Sequence, residues 1–290
     1  MKKIVKIPGS CGELVQGYLN ESNFLVSCPI DVYNTIHVSK IENDKEILID
    51  KNKSKTKEAL LKLLSYYGLE DIGLKVEIKS DLPEAKGMGS STADITGAMI
   101  ATLLLLNKKV DLELVTKIAL AVEPSDVTFM DGIVKFDHLT GKQREKLGQI
   151  EPIPLLVFDY GGEVDTLRFN SRQDLKKLNY HKAKLVNKAY RLVKKGIKSN
   201  DKKLIGKGAT MSSLANQNII KKPGLRELIN TLETQKGFLG VNTAHSGTVI
   251  GIMIDNEKFS GEIKKKIKNY FPNLDYLFKT RIINGGYKII

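Results

Sequence analysis

The chain is predicted to fold as α+β, in two units that meet near residues 148 and 149. Three observations carry that expectation. Its 290 residues reach the upper end of what one hydrophobic core supports, roughly 250–300 residues, so about two domains are expected. Hydrophobic residues make up 41% and charged residues 27%, the balance of a folded globular protein. Strand-like and helix-like periodicities occur in both halves without regular βαβ alternation.

From the N-terminus, 4–7, 24–27 and 35–41 are short, rich in β-branched residues and bounded by Gly, Pro or Asn, which reads as strands. Residues 57–67 repeat apolar side chains at helical spacing and stop before Gly68, a C-cap residue. Leu74, Val76 and Ile78 alternate within 73–80, giving a strand with one apolar face. After a loop over 81–89, residues 90–106 are apolar nearly all round, so that helix is expected to be buried. Asp111 is placed to cap a helix over 111–122, and 132–136 returns to a strand. The hydrophilic stretch 137–148 sets the boundary, giving a first unit of 1–148 and a second of 149–290. In the second, strands are expected near 153–158 and 163–169, long Lys-rich helices across 171–216, a helix near 225–235, then strand, helix and strand.

The 46 Lys+Arg outweigh 33 Asp+Glu for a net charge of +13, which suits anionic partners such as nucleotides or phosphorylated metabolites. Nucleic acid is not expected. Six of the basic residues are Arg, the residue that base readout and bidentate phosphate contacts favour, and no Trp supplies a stacking surface. The longest apolar run, 98–106 broken by Thr102, is far below the ~20 residues of a membrane span, and no secretory signal opens the chain. A cytoplasmic protein without a membrane partner is expected. Cys11 and Cys28 have neither metal-site nor redox-pair spacing, and they read as small buried hydrophobes.

Four stretches carry chemistry. Pro83 to Asp94 joins a strand to the buried helix. Gly87 and Gly89 let backbone approach a ligand, and the helix start aligns free N–H groups with the positive end of its dipole, an anion cradle to which Ser90 and Ser91 add hydroxyls. The spacing is neither a Walker A loop nor a dinucleotide fingerprint. Glu123 and Asp126 follow the next helix. They suit the two carboxylate tasks of phosphoryl transfer, holding a divalent cation and orienting or deprotonating the attacking hydroxyl. Gly237 to Val249 places a glycine-rich turn between two apolar runs, with His245, Ser246 and Gly247 at its centre. Pro8 to Gly17, paired with Val26 to Asp31, crowds small residues into a turn and leaves Ser10, Glu13 and Asp31 as pocket-lining polar groups.

In this order the four stretches resemble the GHMP kinase superfamily, named for galactokinase, homoserine kinase, mevalonate kinase and phosphomevalonate kinase. Pro8–Gly17 matches its first motif, Pro83–Ser91 its phosphate loop with Met88 in place of Leu, and Gly237–Gly251 its C-terminal motif. Strings such as Lys86-Gly-Met-Gly-Ser-Ser-Thr-Ala-Asp94 and Glu123-Pro-Ser-Asp126 look like the branch that phosphorylates L-threonine for cobalamin biosynthesis. The resemblance implies a two-domain fold, a ribosomal-protein-like N-terminal β/α domain and a ferredoxin-like C-terminal α+β domain, with ATP and acceptor meeting between them. It implies that Pro83, Lys86, Gly87, Met88, Gly89, Ser90, Ser91 and Thr92 surround ATP. It further implies that Ser91 and Glu123 hold Mg2+, and that Asp126 is the base or orienting acid.

A buried threonine needs an acceptor for its ammonium and donors for its carboxylate. Glu13 or Asp31 is expected to take the ammonium, and Ser246 with the N–H groups near Gly247 the carboxylate or the moving phosphate. Ser10, Cys11 and His245 complete the expected acceptor site. A kinase for another small alcohol such as homoserine, and, in a different class, a basic RNA-associated module, remain as alternatives.

Overall fold

The computed structural model describes residues 2–19, 22–42, 44–162 and 172–290. The chain opens with two long antiparallel strands, β1 (Lys2–Leu19) and β2 (Ser22–Lys40). The short strands expected at 4–7, 24–27 and 35–41 are parts of these two. Residues 8–17, expected as a turn, are strand. The pairing of β1 with β2 slips between Pro8 and Ser10, between Ser10 and Glu13, and between Glu13 and Val15. Pro8 has no N–H to give the ladder and Gly12 lies at φ 57°, so local signals read as a turn what long-range pairing holds as a bulged strand.

A short strand that was not expected, β3 (Ile47–Leu48), comes next, and then α1 (Ser54–Tyr66), β4 (Leu74–Ser80), α2 (Ser90–Leu105), α3 (Leu112–Val122) and β5 (Ile133–Phe136) follow expectation closely. Gly68 takes the positive φ expected of a helix-ending glycine, and its N–H reaches Ser65 O at 3.0 Å. Asp111 caps α3, accepting from the N–H groups of Glu113 at 2.9 Å and Leu114 at 3.2 Å. All of α2 except Ser91 and Leu104 is buried. Within the hydrophilic stretch lies a strand that its polarity concealed, β6 (Arg144–Gly148), which pairs with β5 at the sheet's margin.

The second half contains β7 (Ile153–Asp159), α4 (Leu175–Ser199), α5 (Lys202–Ala215), α6 (Leu225–Glu233), β8 (Phe238–Thr243), β9 (Val249–Ile254), α7 (Ser260–Tyr270), β10 (Asp275–Ile282) and β11 (Lys288–Ile289). The strand expected over 163–169 lies outside the described residues. Among those described, the strands join one sheet in the order β11-β1-β8-β9-β7-β10-β2-β4-β3, with β5 on β2 and β6 on β5. Strands of the second half therefore pair directly with β1 and β2, through Glu13 opposite Thr243 and Ile30 opposite Ile282.

β7 shows how the sheet divides the core. Its unbroken apolar run is buried on both faces, as a central strand requires. Period-two alternation sends Leu155 and Val157 into the large cluster shared with α2, and Leu156 and Phe158 into a second cluster with α6 and α7. Phe158 packs edge-on against Tyr276 at 5.4 Å between ring centres. Phe158→Ala is expected to destabilise the fold by ~3–5 kcal/mol in denaturant unfolding, because the smaller cluster has little material with which to refill the cavity.

Candidate active site

The loop before α2 is held from two sides. Where β1 bulges away from β2, Ser10 N donates to Met88 O at 2.9 Å and Gly12 N to Gly87 O at 3.3 Å. From the second half, the N–H groups of Thr248 and Val249 both donate to Lys86 O, at 3.0 and 3.3 Å. Gly87 and Gly247 are in close contact. A Cβ on Gly87 would lie 2.8 Å from Gly247 Cα and 2.8 Å from Ala244 Cβ, so neither space nor its φ of 79° admits a side chain. Lys222, buried, donates from Nζ to Gly247 O and fixes the far side of that turn.

Gly89 begins α2 at φ 70°, and no side chain caps the helix. Its first N–H groups are left to face a cavity of about 450 Å³ that Gly87, Gly89, Ser91, Glu123 and Asp126 line together. Pro83, Met88, Ser90, Thr92, Ser10, Glu13 and Ser246 line it too.

Two carboxylates enter this cavity in different states. Glu123 ends α3 and is buried, taking a hydrogen bond from Ser91 Oγ on Oε1 and the Lys55 ammonium on Oε2 at 2.5 Å. Asp126 accepts from Ser10 Oγ at 3.2 Å and more loosely from Thr128 N and Oγ1, both at 3.4 Å. Burial pushes the Asp126 carboxyl up to about 6, against the opposing pull of those donors. Gly89 makes room for it, since a Cβ there would sit 2.9 Å from Asp126 Oδ2.

Lys53 reaches Asp94 at 2.9 Å and Glu84 at 2.6 Å. Asp94 is buried one turn into α2 and also accepts from Asn34 Nδ2 at 2.6 Å, while Asn34 accepts from Ser80 Oγ at 2.7 Å. This network ties the start of α2 to β2 and β4. Lys53, Lys55 and Asp94 were not expected at the site. Their signal was the lysine run 51–57 across a helix start, where cations oppose the dipole, and a lone acid in an apolar helix.

Several expected residues lie elsewhere. Cys11 is fully buried and points into the core, where burial pushes its thiol up to about 12, because alternation along β1 turns Ser10 to the cavity and Cys11 away. Asp31 is exposed on a separate depression with Tyr33 and Lys288 and does not line the cavity; the core takes its neighbour Ile30. Lys86 turns to Asp159, 2.9 Å away, and its side chain serves the clamp. Gly247 is packed behind the loop. His245 is buried with Nδ1 and its backbone N both 2.9 Å from Glu13 Oε2, and burial holds its ring below the usual imidazole range.

The oxygen donors fit a hard cation. Mg2+ is commonly held by one or two carboxylates with substrate phosphates supplying the rest, and Ser91 Oγ beside Glu123 offers such a partial set.

The loop, the uncapped helix and the acid pair define a small-molecule kinase, and the chain belongs to the GHMP kinase family. "GHMP kinases N terminal domain" matches residues 54–132 and "GHMP kinases C terminal" matches 193–273. It is 30% identical to the L-threonine kinase of Salmonella typhimurium over 99% of this chain and 95% of the relative. It is 28% identical to the L-threonine kinase of Citrobacter freundii, over 99% of both chains. The crystal structure of homoserine kinase from Cytophaga hutchinsonii superposes with a TM-score of 0.74 at 18% identity, covering 100% of this chain and 97% of that one. No helix among the described residues is long and apolar enough to cross a membrane.

The Asp126 carboxyl yields a stability prediction whose sign is fixed. Its folded value of about 6 exceeds the ordinary 3.8, so the folded state holds its proton more tightly and loses stability as pH rises between those values. Asp126→Asn is therefore expected to be more stable than the parent at pH 7.5 by ~1–3 kcal/mol, with the difference vanishing below about pH 4. Thermal unfolding across pH measures it.

Proposed function

We propose that the protein transfers the γ-phosphoryl group of ATP to the side-chain hydroxyl of L-threonine, giving L-threonine O-3-phosphate and ADP. The observation that carries this reading is the single cavity in which the start of α2 and both acids, Glu123 and Asp126, meet. Full-length similarity to L-threonine kinases supports the acceptor. In that light the product serves cobalamin biosynthesis, as the precursor of the aminopropanol linker.

Backbone N–H groups of Gly87 to Ser91 hold the triphosphate by the positive end of α2. Ser91 and Glu123 would hold Mg2+, which would supply neutralisation of the phosphate charge that develops on the leaving oxygen. Lys55, paired with Glu123, also lines the cavity, where its ammonium would face phosphate oxygens. The threonine hydroxyl forms its bond to the γ-phosphorus as the bond to the β–γ bridging oxygen breaks, and its proton passes to Asp126. A carboxyl raised to about 6 is ionised at neutral pH and more basic than an exposed one, which suits it to that task.

ADP release measured with threonine, serine, homoserine and no acceptor tests the reading. Threonine is expected to give the highest kcat/KM, and absence of turnover with every acceptor overturns it. Preference for homoserine assigns the acceptor to that alcohol instead. Asp126→Asn and Glu123→Gln are each expected to lower turnover by roughly 10²–10⁴-fold with the fold intact. The parent's kcat/KM is expected to rise with pH through about 6 as Asp126 ionises, and Asp126→Asn to lack that limb.

A further inference from the structure

A second chamber of about 340 Å³ adjoins the cavity, and Gln16 and His138 line both spaces. At this junction two buried atoms, Gln16 Oε1 and His138 Nδ1, have no hydrogen-bond partner among the described residues. Buried polar atoms are rarely left so, and two at one junction mark where a ligand atom belongs. An amide oxygen can only accept. Burial holds the His138 ring below the usual imidazole range, so it is neutral at pH 7, and with its proton on Nε2 the Nδ1 lone pair also accepts. Two acceptors side by side call for a group with several donors.

Lys182 of α4 supplies the opposite character in the same chamber. It is buried, and its Nζ donates to the neutral Asn216 Oδ1 at 2.8 Å. Among the described residues no carboxylate lies within ion-pair distance of it, and burial lowers its ammonium to about 7, so a bound anion would favour the charged form. Glu13 and His245 lie near it, and His138, Arg172 and Lys176 line the same chamber, Arg172 being engaged by Asp174 and Ile219 O. Glu13 Oε2 is engaged twice by His245, through backbone N and Nδ1.

We propose that this chamber holds the amino-acid head of the acceptor, with Gln16 Oε1 and His138 Nδ1 accepting from the α-ammonium and Lys182 donating to the α-carboxylate. The assignment rests on the acceptor class proposed above and moves the ammonium from Glu13 to Gln16 and His138. The chamber thereby selects zwitterions. A hydroxy acid leaves the two acceptors bare, and an amino alcohol leaves Lys182 without an anion, its Nζ bonded to Asn216 alone.

Steady-state kinetics and calorimetric binding with L-threonine, L-threoninol (no carboxylate) and 3-hydroxybutyrate (no ammonium) test it in the full chain. Lys182→Met is expected to raise KM for threonine roughly 10- to 100-fold while leaving KM for ATP and binding of threoninol unchanged, so that it no longer distinguishes the two ligands. Lys182→Arg restores part of the preference. Gln16→Leu is expected to lose the preference for threonine over 3-hydroxybutyrate, and it decides the matter if Lys182→Met does not fold. Variants that unfold at the parent's temperature and still discriminate as the parent does overturn the assignment while leaving the kinase reading intact. A parent that phosphorylates no amino acid overturns both.

Discussion

The contact between Gly87 and Gly247 is the constraint on which the site depends. Two backbones meet there with no room for a methyl group, and the same turn donates two hydrogen bonds to Lys86 O. With Ser10 and Gly12 bonding the loop from the other side, the peptide before α2 is gripped by strands from both halves of the chain. A phosphate-sized anion needs several N–H groups aimed at one point, and a loop free to relax would aim them elsewhere. The third glycine-rich stretch thus acts on the cavity indirectly, by shaping the loop that lines it.

Burial and pairing divide the acids of the cavity into distinct roles. Glu123 and Asp94 are neutralised by Lys55 and Lys53 from the start of α1. Asp126 meets hydroxyl and amide donors and no cation, so desolvation prevails and its proton affinity rises. This difference is what the proposed reaction asks for, one carboxylate to hold a cation and another to accept a proton. Lys55 on Glu123 is a resident counter-ion to a buried acid in the ligand-free protein.

Local order was legible wherever one side chain decided the outcome. Asp111 as cap, Gly68 as helix end and the apolar surface of α2 all follow from short-range chemistry. The course of β1 did not, because Pro8 and Gly12 signal a turn and the partners that keep them extended lie about 20 and 230 residues further on. At the site, the glycines and the pair Glu123 and Asp126 stood out because their types are unusual at such positions. Gln16, His138 and Lys182 are ordinary in sequence, and only the fold shows that they are buried at one junction. Asp31 misled for the opposite reason: its neighbours in sequence belong to the site's strand, but its own side chain leaves on the other face.

The strand order has a consequence for how the molecule is made. β1 is synthesised well before β8 and β11, its neighbours in the sheet, and β2 waits for β10. The emerging first half must keep those edges unpaired until β8, β10 and β11 follow, a long interval in which exposed edges invite association with other chains. Charged positions along β1 and β2, Lys2, Lys3, Lys6 and Lys40 among them, are the kind of side chains that discourage such association while the final strands are still being made.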